Sequence, residues 1–385
     1  MYISEEQKIL EKIDTDFKIS VKTAKEFKET TLQNMSDMQK LYAIDKLPKA
    51  QKPTYKSKRF KIENGVLLCA SIASEIVFIP EGVTEIGKDA FKNRDKGNCK
   101  IIFPNGLKKI DTSAFEGCSN LIELDVKDPE LCYYANISAD DEIDQFSKGF
   151  SQFPPTLEEI GDNAFRSFGN NSHGFSENLM EYLILPQNLI RLGKGAFEDS
   201  GIRAIYIAGP QTISERCFQG SGLRKVIFGD NVKKIERIAF GSCSRLEKVI
   251  FGRNIKEIGE WAFDFCLSLK KVELPNLLKK IGKGAFHECG RLSSIEIPNS
   301  VTEIGENAFS KCISLEKVEI GKGLTTLPEC CFSNCNKLKE VIIPDTVSEI
   351  AHNAFKNCSD FTIIGIADSC AEQFAKENNI KFKSI

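Results

Sequence analysis

The sequence predicts a repeat solenoid, an elongated protein built from stacked turns of chain. At 385 residues it is longer than one ordinary globular domain, so internal repeats or a second domain are expected. The dipeptide Ala-Phe, or a close variant of it, recurs every 22 or 23 residues from Phe218 onward. A unit of that size cannot bury its apolar face alone, whereas stacked units share one continuous core.

The repeat is marked by a phenylalanine that occupies the same position in each unit. Eleven residues fill it: Phe91, Phe115, Phe165, Phe197, Phe218, Phe240, Phe263, Phe286, Phe309, Phe332 and Phe355. Because every unit supplies one ring, we expect the rings to form a core column along the stacking axis.

The unit that begins at Leu292 shows how one turn is expected to fold. Its opening, Leu292-x-x-Ile295-x-Ile297, alternates with period two and predicts a short strand with one face inward. Pro298 ends that strand because it has no N–H to donate. Gly305 is predicted to permit a tight bend, and Phe309 to place its ring in the centre of the coil.

Seven of the fourteen cysteines occupy one further repeat position, three residues after the phenylalanine. They are Cys118, Cys243, Cys266, Cys289, Cys312, Cys335 and Cys358. A fixed position of this kind predicts buried thiols that act as small apolar groups. Side chains stacked in one direction are poorly placed for disulfides, so we expect the thiols to be reduced.

The residues before the repeats are predicted to be helical. Residues 1–48 carry no repeat letters, and Ser4–Gln7 and Ser36–Gln39 both fit helix capping boxes. This segment is interpreted either as a cap on the first turn or as a separate pair of interaction helices. Residues 49–59, which are basic and contain a proline, are predicted to be a linker.

The repeats are predicted to occupy residues 60–359, and residues 360–385 are predicted to form a C-terminal cap. Two insertions interrupt the period, near 127–150 and near 167–178. The first is either a loop or a degenerate turn. Its acidic run, residues 140–144, is interpreted as a solvated loop, although clustered carboxylates are also ligands for hard cations.

The consensus L-x-x-I-x-I-P-x-x-V-x-x-I-G-x-x-A-F-x-x-C resembles the BspA-like class of leucine-rich repeats over about residues 60–385. The resemblance implies a right-handed coil with a parallel β-sheet on its concave face. It extends to the ends, where Asn64-Gly65 resembles the turn of an opening hairpin and residues 369–382 resemble a closing helix and strand. BspA-like proteins are often surface antigens and adhesins.

Two outward positions on each strand are predicted to line the concave face. Read along the array, they give first an apolar stripe and then a lysine row beside a glutamate row. The predicted partner-binding residues are Phe78, Ile102, Tyr182, Ile184, Tyr206, Ile227, Ile250, Lys225, Lys248 and Lys271. Contiguous apolar stripes tend to mark contact sites, but the strand propensity of isoleucine and tyrosine explains the same residues equally well.

The sequence carries no recognisable catalytic or metal-binding pattern. His173, His287 and His352 occupy unrelated repeat positions, which does not indicate a triad. Asp89 stands where a phosphate-binding loop requires serine or threonine. Cysteines 330, 331 and 335 contain no C-x-x-C pair. We therefore expect no enzyme, no metal and no cofactor.

Two functions remain, a protein-binding scaffold and a surface antigen or adhesin that binds host proteins. The net charge of -2 gives no global attraction to nucleic acid. No apolar run has the length of a signal peptide or a membrane span, which predicts a cytoplasmic protein, with a non-classical route to the cell surface as the alternative. Self-association through the concave stripe is a further option.

Overall fold

The computed structural model describes most of the repeat region and the C-terminus. The described residues are 55–56, 60–70, 76–94, 99–126, 150–169 and 180–385. The predicted N-terminal helical segment, residues 1–48, lies outside them, as do residues 127–149 and 170–179 of the two insertions.

One sheet of longer strands, here called the long-strand sheet, runs along the repeats, and each turn adds its strand in parallel to the one before. It is interrupted after residue 126 and again around Lys271, which is joined to Lys248 by an isolated bridge. Its strands are Ile76–Phe78, Cys99–Phe103, Leu121–Val126, Phe150–Gln152, Met180–Leu185, Ile202–Ile207, Lys225–Phe228, Lys248–Ile250, Ser294–Glu296, Lys317–Glu319, Glu340–Ile342, Thr362–Gly365 and Lys381–Ser384.

A second sheet, the short-strand sheet, runs alongside and takes two residues from each turn. It is interrupted between Arg191–Leu192 and Thr212–Ile213 and again between Glu303–Ile304 and Thr326–Leu327. Its inward residue is buried throughout all but the last turn, and its outward residue is mostly charged. The strands are Glu85–Ile86, Lys109–Ile110, Glu159–Ile160, Arg191–Leu192, Thr212–Ile213, Lys234–Ile235, Glu257–Ile258, Lys280–Ile281, Glu303–Ile304, Thr326–Leu327 and Glu349–Ile350.

The repeat phenylalanines form one unbroken column between the sheets, as the repeat predicts. Neighbouring rings are nearly parallel and stacked, with centroids 4.7 Å apart at Phe91–Phe115 and 5.5 Å apart at Phe332–Phe355. All eleven rings are buried. The ring spacing is close to the spacing of hydrogen-bonded strands. One translation along the stacking axis therefore allows both the backbone hydrogen bonds between turns and the packing of the rings.

The repeat cysteines form a second interior column in which each thiol reaches back to the preceding turn. The Cys243 Sγ donates to the carbonyl oxygen of Phe218 at 3.1 Å, and the Cys312 Sγ donates to that of Phe286 at 3.2 Å. All seven repeat cysteines make this contact. The thiol is therefore a weak donor to a buried carbonyl, a role that its prediction as a small apolar group did not include.

Glycine follows the short strand because successive backbones nearly touch there. A Cβ on Gly305 would lie 2.4 Å from the backbone nitrogen of Lys283, and one on Gly193 would lie 2.4 Å from the carbonyl carbon of Gly161. The left-handed backbone falls at Asn307, with φ of 57°, instead of at Gly305. The predicted bend at Gly305 is corrected accordingly, since the glycine there serves close stacking of turns.

The first insertion places an additional strand in only one of the two sheets. Leu121–Val126 pairs with Cys99–Phe103, and Phe150–Gln152 pairs with Met180–Leu185. Yet the Phe115 and Phe165 rings stack at 5.0 Å, and Lys109–Ile110 pairs directly with Glu159–Ile160. The two turns are neighbours in the core, while the long-strand sheet widens by one strand.

Both ends of the repeat array are closed by distinct elements. Phe60–Glu63 and Val66–Ala70 form an antiparallel hairpin in which Asn64 and Gly65 both have positive φ, as an Asn-Gly turn favours. Tyr55–Lys56, inside the predicted linker, forms a strand antiparallel to that hairpin. At the other end a helix, Cys370–Glu377, is capped by the Ser369 side chain and precedes the last strand.

Candidate functional site

The structure divides the predicted binding residues between two parts of the long-strand sheet. Phe78 and Ile102 are aligned on neighbouring strands near the N-terminal end. The other eight lie on the turns from Met180 to Lys271. Residues of the two groups do not pair with each other.

The second group forms two adjacent rows that cross the strands. One row runs from Ala204 to Lys225 and Lys248, which are aligned partners on successive strands. The other contains Tyr206, Ile227 and Ile250 in the same register. We call Tyr206, Lys225, Ile227, Lys248 and Ile250 the face patch, because they occupy consecutive turns on one side of one sheet.

Burial within the face patch is uneven. The Ile227 side chain is only 6% exposed, and Ile102 in the first group is only 9% exposed. Tyr206 and Ile250 are half-buried, and the Tyr206 hydroxyl lies 3.4 Å from the point that a Cβ on Gly229 would occupy. Stacked neighbours therefore cover Ile227, and Tyr206 and Ile250 carry most of the accessible apolar area.

The apolar stripe predicted for the first part of the array is interrupted by two polar residues, which corrects that expectation. Asp125 and Gln152 hold the same outward position on the two strands beside the insertion. The Gln152 Nε2 donates to Asp125 Oδ1 at 3.4 Å, and Lys100 Nζ lies 2.8 Å from Asp125 Oδ2. Polar side chains thus separate Phe78 and Ile102 from the face patch.

Positive charge concentrates on the face patch and on the turn that follows it. The strand segments 224–228, 247–251 and 270–274 together contain five basic residues and two acidic ones. Lys271 Nζ donates to Glu273 Oε1 at 2.5 Å. That hydrogen bond, together with the charges of Lys271 and Lys248, lowers the pKa of the Glu273 carboxyl below its ordinary value.

A second apolar surface, which the sequence interpretation missed, lies where each turn bends back after the short strand. We call Ile238, Trp261, Phe265, Leu267 and Ile313 the edge cluster. Phe265, Leu267 and Ile313 are 40%, 45% and 50% exposed. Ile238, Trp261 and Phe265 have positive φ at positions where other turns carry mainly asparagine, aspartate, serine or glycine, and this mismatch is the sequence signal that would have revealed them.

His287, which lies beside the edge cluster, contacts a carboxylate and two aromatic rings. His287 Nδ1 is 2.7 Å from Asp264 Oδ1, and its ring is edge-on to Trp261 and Phe265 with centroids 5.4 and 5.8 Å away. Gly284 makes room for the indole, since a Cβ there would lie 2.2 Å from a Trp261 ring carbon. The His287–Asp264 pair joins two successive turns.

Groups of three or more histidine, cysteine, aspartate or glutamate side chains that could hold a metal ion do not occur among the described residues. The same residues include no helix with the length and apolarity needed to cross a membrane.

Parallel strands added turn by turn, an interior phenylalanine column and one short strand per turn define a leucine-rich-repeat solenoid. Within that class the chain belongs to the family described as "BspA type Leucine rich repeat region (6 copies)", which matches residues 61–170, 143–263, 171–289 and 256–381. This membership agrees with the resemblance of the repeat consensus. No curated protein sequence matches the chain.

Several solved structures are similar in fold. A leucine rich cell surface protein from Faecalibacterium prausnitzii is 20% identical, with 86% of this chain and 94% of that chain covered and a TM-score of 0.43. A leucine-rich repeat protein from Bacteroides ovatus gives 20% identity, 86% and 97% coverage and a TM-score of 0.43. The pneumococcal vaccine antigen PcpA gives 17% identity, 87% and 99% coverage and a TM-score of 0.43.

Proposed function

We propose that this protein is a binding scaffold that holds a protein partner on the outer side of the long-strand sheet, at the face patch. The observation that carries the proposal is the register of the patch, in which Tyr206, Ile227 and Ile250 align on successive strands beside Lys225 and Lys248. Aligned strands present a flat and rigid set of side chains, which reduces the entropy lost when a partner is immobilised.

The chemistry of the face patch also suits a protein partner. Protein interfaces combine a partly apolar centre with a polar rim, and Tyr206 and Ile250 lie directly beside the two lysines. Tyrosine is among the residues that contribute most to binding free energy at interfaces. The face patch is therefore expected to act as the centre of the interface, with Lys225, Lys248 and Lys271 on one side of it.

The test is a comparison of three immobilised proteins for the partners they retain from cell lysate and from extracellular protein. The face variant carries Tyr206→Ser and Ile250→Ser, and the matched edge variant carries Phe265→Ser and Leu267→Ser. Both replace two large exposed or half-buried side chains by serine. Ile227 is left intact because its burial would confuse lost binding with lost folding.

A partner retained by the wild type and the edge variant but lost by the folded face variant would support the face patch. A partner lost only by the edge variant would move the site to the edge cluster. Equal retention by all three proteins would contradict both locations. Circular dichroism and a thermal unfolding curve establish that each variant is folded before the comparison is made.

A role at the cell surface, as an antigen or adhesin that binds host proteins, is the second candidate. It rests on membership of the BspA-type family, because BspA-like proteins are often surface antigens and adhesins. Surface biotinylation of intact cells followed by detection of the chain tests it. Labelling of intact cells would support this role, whereas labelling only after lysis would favour the predicted cytoplasmic location.

A further inference from the structure

Three successive turns form an apolar notch at the position that directly follows the repeat cysteine. We call Leu267, Gly290 and Ile313 the glycine notch. In each of these turns the backbone N–H at that position donates to the carbonyl oxygen two residues earlier, at 2.9, 2.8 and 2.9 Å. Leu267 and Ile313 are 45% and 50% exposed, and a Cβ on Gly290 would lie 3.8 and 4.0 Å from two Ile313 carbons. The glycine therefore leaves a space between two exposed aliphatic side chains.

The residues that flank the glycine notch hold an unfavourable backbone conformation. Ile238, Trp261 and Phe265 have φ of 56°, 55° and 55°, which large and β-branched side chains rarely adopt. Asparagine occupies the repeat position of Ile238 and Trp261 in two other turns, as Asn163 and Asn307. Residues in such a conformation cost folding free energy and are concentrated at binding and catalytic sites. The bulky side chains of the edge cluster are therefore better explained by recognition than by stability.

One positive charge beside the glycine notch has no internal partner. Arg291, which follows Gly290, is exposed, and its side chain makes no hydrogen bond or ion pair with any residue that the structure describes. In contrast, Lys311 Nζ of the next turn lies 2.6 Å from Glu288 Oε1. A ligand that complements this surface is therefore apolar and carries a carboxylate next to the group that enters the notch.

We propose that the edge cluster and the glycine notch bind an amphipathic α-helix of a partner protein, with one leucine-sized side chain over Gly290 and a carboxylate facing Arg291. The inference goes beyond the proposed function, because it concerns a second surface that is separate from the face patch. The helix is held mainly by apolar contact with Phe265, Leu267 and Ile313, in the way that other amphipathic helices occupy apolar grooves.

The spacing of the turns favours a helix over an extended segment. The repeat phenylalanines of the three turns are 5.3 and 5.2 Å apart, and the pitch of an α-helix is about 5.4 Å. A helix laid along the stacking axis therefore presents one apolar residue to each turn, at positions i, i+4 and i+7. Side chains on one side of an extended segment repeat at about 6.7 Å, which exceeds the step between turns.

The test measures binding of labelled peptides to the full chain by fluorescence anisotropy. The probe is an alanine-rich peptide of about 18 residues, with leucine at i, i+4 and i+7 and glutamate next to the middle leucine. A second peptide has the same composition but scatters the leucines around the helix, and a third has lysine in place of that glutamate. None contains tryptophan, so Trp261, the only tryptophan of the chain, reports contact with the edge cluster.

We expect the probe to bind most tightly and to protect Trp261 from quenching by acrylamide. Gly290→Leu fills the notch without removing a contact and should weaken binding by about tenfold or more, the equivalent of one buried leucine side chain. Gly106→Leu is the matched control, since nothing lies within 4 Å of a Cβ there, and it should bind as the wild type does. Arg291→Gln should abolish the preference for the glutamate peptide over the lysine peptide. Circular dichroism checks that each variant is folded.

Ile238→Asn separates recognition from folding. Asparagine has φ of 57° at the same repeat position in Asn307, so the variant should unfold at a higher temperature than the wild type. It should also bind the probe about threefold or more weakly, because an apolar contact is lost. A lower unfolding temperature with unchanged binding would contradict a recognition role for this residue.

Three results would overturn the inference. They are equal binding of the probe by the wild type and Gly290→Leu, equal binding of the ordered and scattered peptides, and self-association of the wild type in sedimentation velocity that Gly290→Leu abolishes. The last result would identify a second copy of this chain as the occupant. A lysate partner lost by the face variant, without any binding of the helical probe, would leave the proposed function intact and reject only this inference.

Discussion

Charge is arranged differently on the short-strand sheet and on the part of the long-strand sheet that contains Lys225, Lys248 and Lys271. In the short-strand sheet the outward residues alternate in sign, and contacts such as Lys109–Glu85 at 3.0 Å, Arg191–Glu159 at 2.7 Å and Lys280–Glu303 at 2.6 Å join successive turns. In the long-strand sheet three lysines are aligned.

The difference concerns how far the charges on each surface support the stacking of turns. Alternating charges stabilise one order and one register of turns, because a slip by one turn would place like charges together. The three aligned lysines do not alternate in sign. We expect changes in the shared interior to alter the free energy of unfolding most, and changes on the outer surface to alter it least.

The largest effect is expected in the interior that both sheets share, through the buried thiols at alkaline pH. Burial raises the pKa of these thiols, to about 12 for Cys243 and Cys312, whereas the unfolded thiols ionise near 9.0. Above that value the unfolded state loses protons that the folded state retains, so stability falls as pH rises. The fully buried thiols whose pKa is raised mainly by burial are Cys217, Cys243, Cys266, Cys289, Cys312 and Cys331, and burial also raises the pKa of Cys99, to about 11.

Each of these thiols is expected to remove about 1.4 kcal/mol from the free energy of unfolding per pH unit. Urea unfolding under reducing conditions between about pH 7 and about pH 10.5 measures the slope. Replacing Cys266, Cys289 and Cys312 by alanine should reduce that slope by about 40%. A slope that is the same in the variant and the wild type would contradict the assignment.

Removal of one ring from the phenylalanine column should weaken both sheets together. Phe286 stacks on Phe263 at 5.3 Å and on Phe309 at 5.2 Å. Phe286→Ala is expected to lower the free energy of unfolding by about 3–5 kcal/mol, measured by urea unfolding with circular dichroism. Phe286→Leu is the control and should cost less, because it leaves a smaller cavity; equal losses would show that cavity volume does not decide the effect.

The close approach of turns at the short-strand sheet gives an intermediate effect. Gly305→Ala places a methyl group 2.4 Å from the Lys283 nitrogen and should cost about 1–3 kcal/mol in unfolding free energy. Gly106→Ala is the matched control, since nothing lies within 4 Å of its added Cβ. If the two variants unfold at the same temperature, the turns are not as tightly stacked as described.

The smallest effect tests the charge comparison itself. Lys280→Glu aligns three carboxylates, because Glu257 and Glu303 are its partners, and should cost about 0.5–1 kcal/mol. Lys248→Glu instead places a carboxylate between Lys225 and Lys271 and should cost less than Lys280→Glu. Thermal unfolding at low and high salt measures both, and the difference should shrink at high salt. The same loss in both variants would remove the distinction between the sheets.

Sequence periodicity predicts the interior of this protein well. A recurring phenylalanine must repeat its environment in every turn, and the observed ring column confirms that prediction. The outward side chains were harder to predict, because their exposure depends on neighbours one turn away: Ile227 is covered in this way. The repeat period also could not predict the additional strand Leu121–Val126. This strand joins one sheet only, and the phenylalanine rings on either side of the insertion still stack directly.

The face patch and the edge cluster show the same limit of prediction from the repeat pattern. Alignment by repeat position identified Tyr206, Lys225 and Ile250 as outward residues, but it could not show that Asp125 and Gln152 would interrupt their row. The edge cluster was missed because its residues matter through left-handed backbone geometry, which the repeat consensus does not report. Ile238 and Trp261 stand out once the turns are aligned at the position that carries positive φ.

The thiol column has a consequence for how the chain is made. In every contact of this kind the donor is the later residue, by 25 positions for Cys243 and by 26 for Cys312. For this contact, a turn leaving the ribosome finds its acceptor already in place in the turn made before it. The thiol hydrogen bonds can therefore form in the direction of synthesis, whereas backbone hydrogen bonds such as Phe286 N–H to Ala308 O complete only when the following turn has been made.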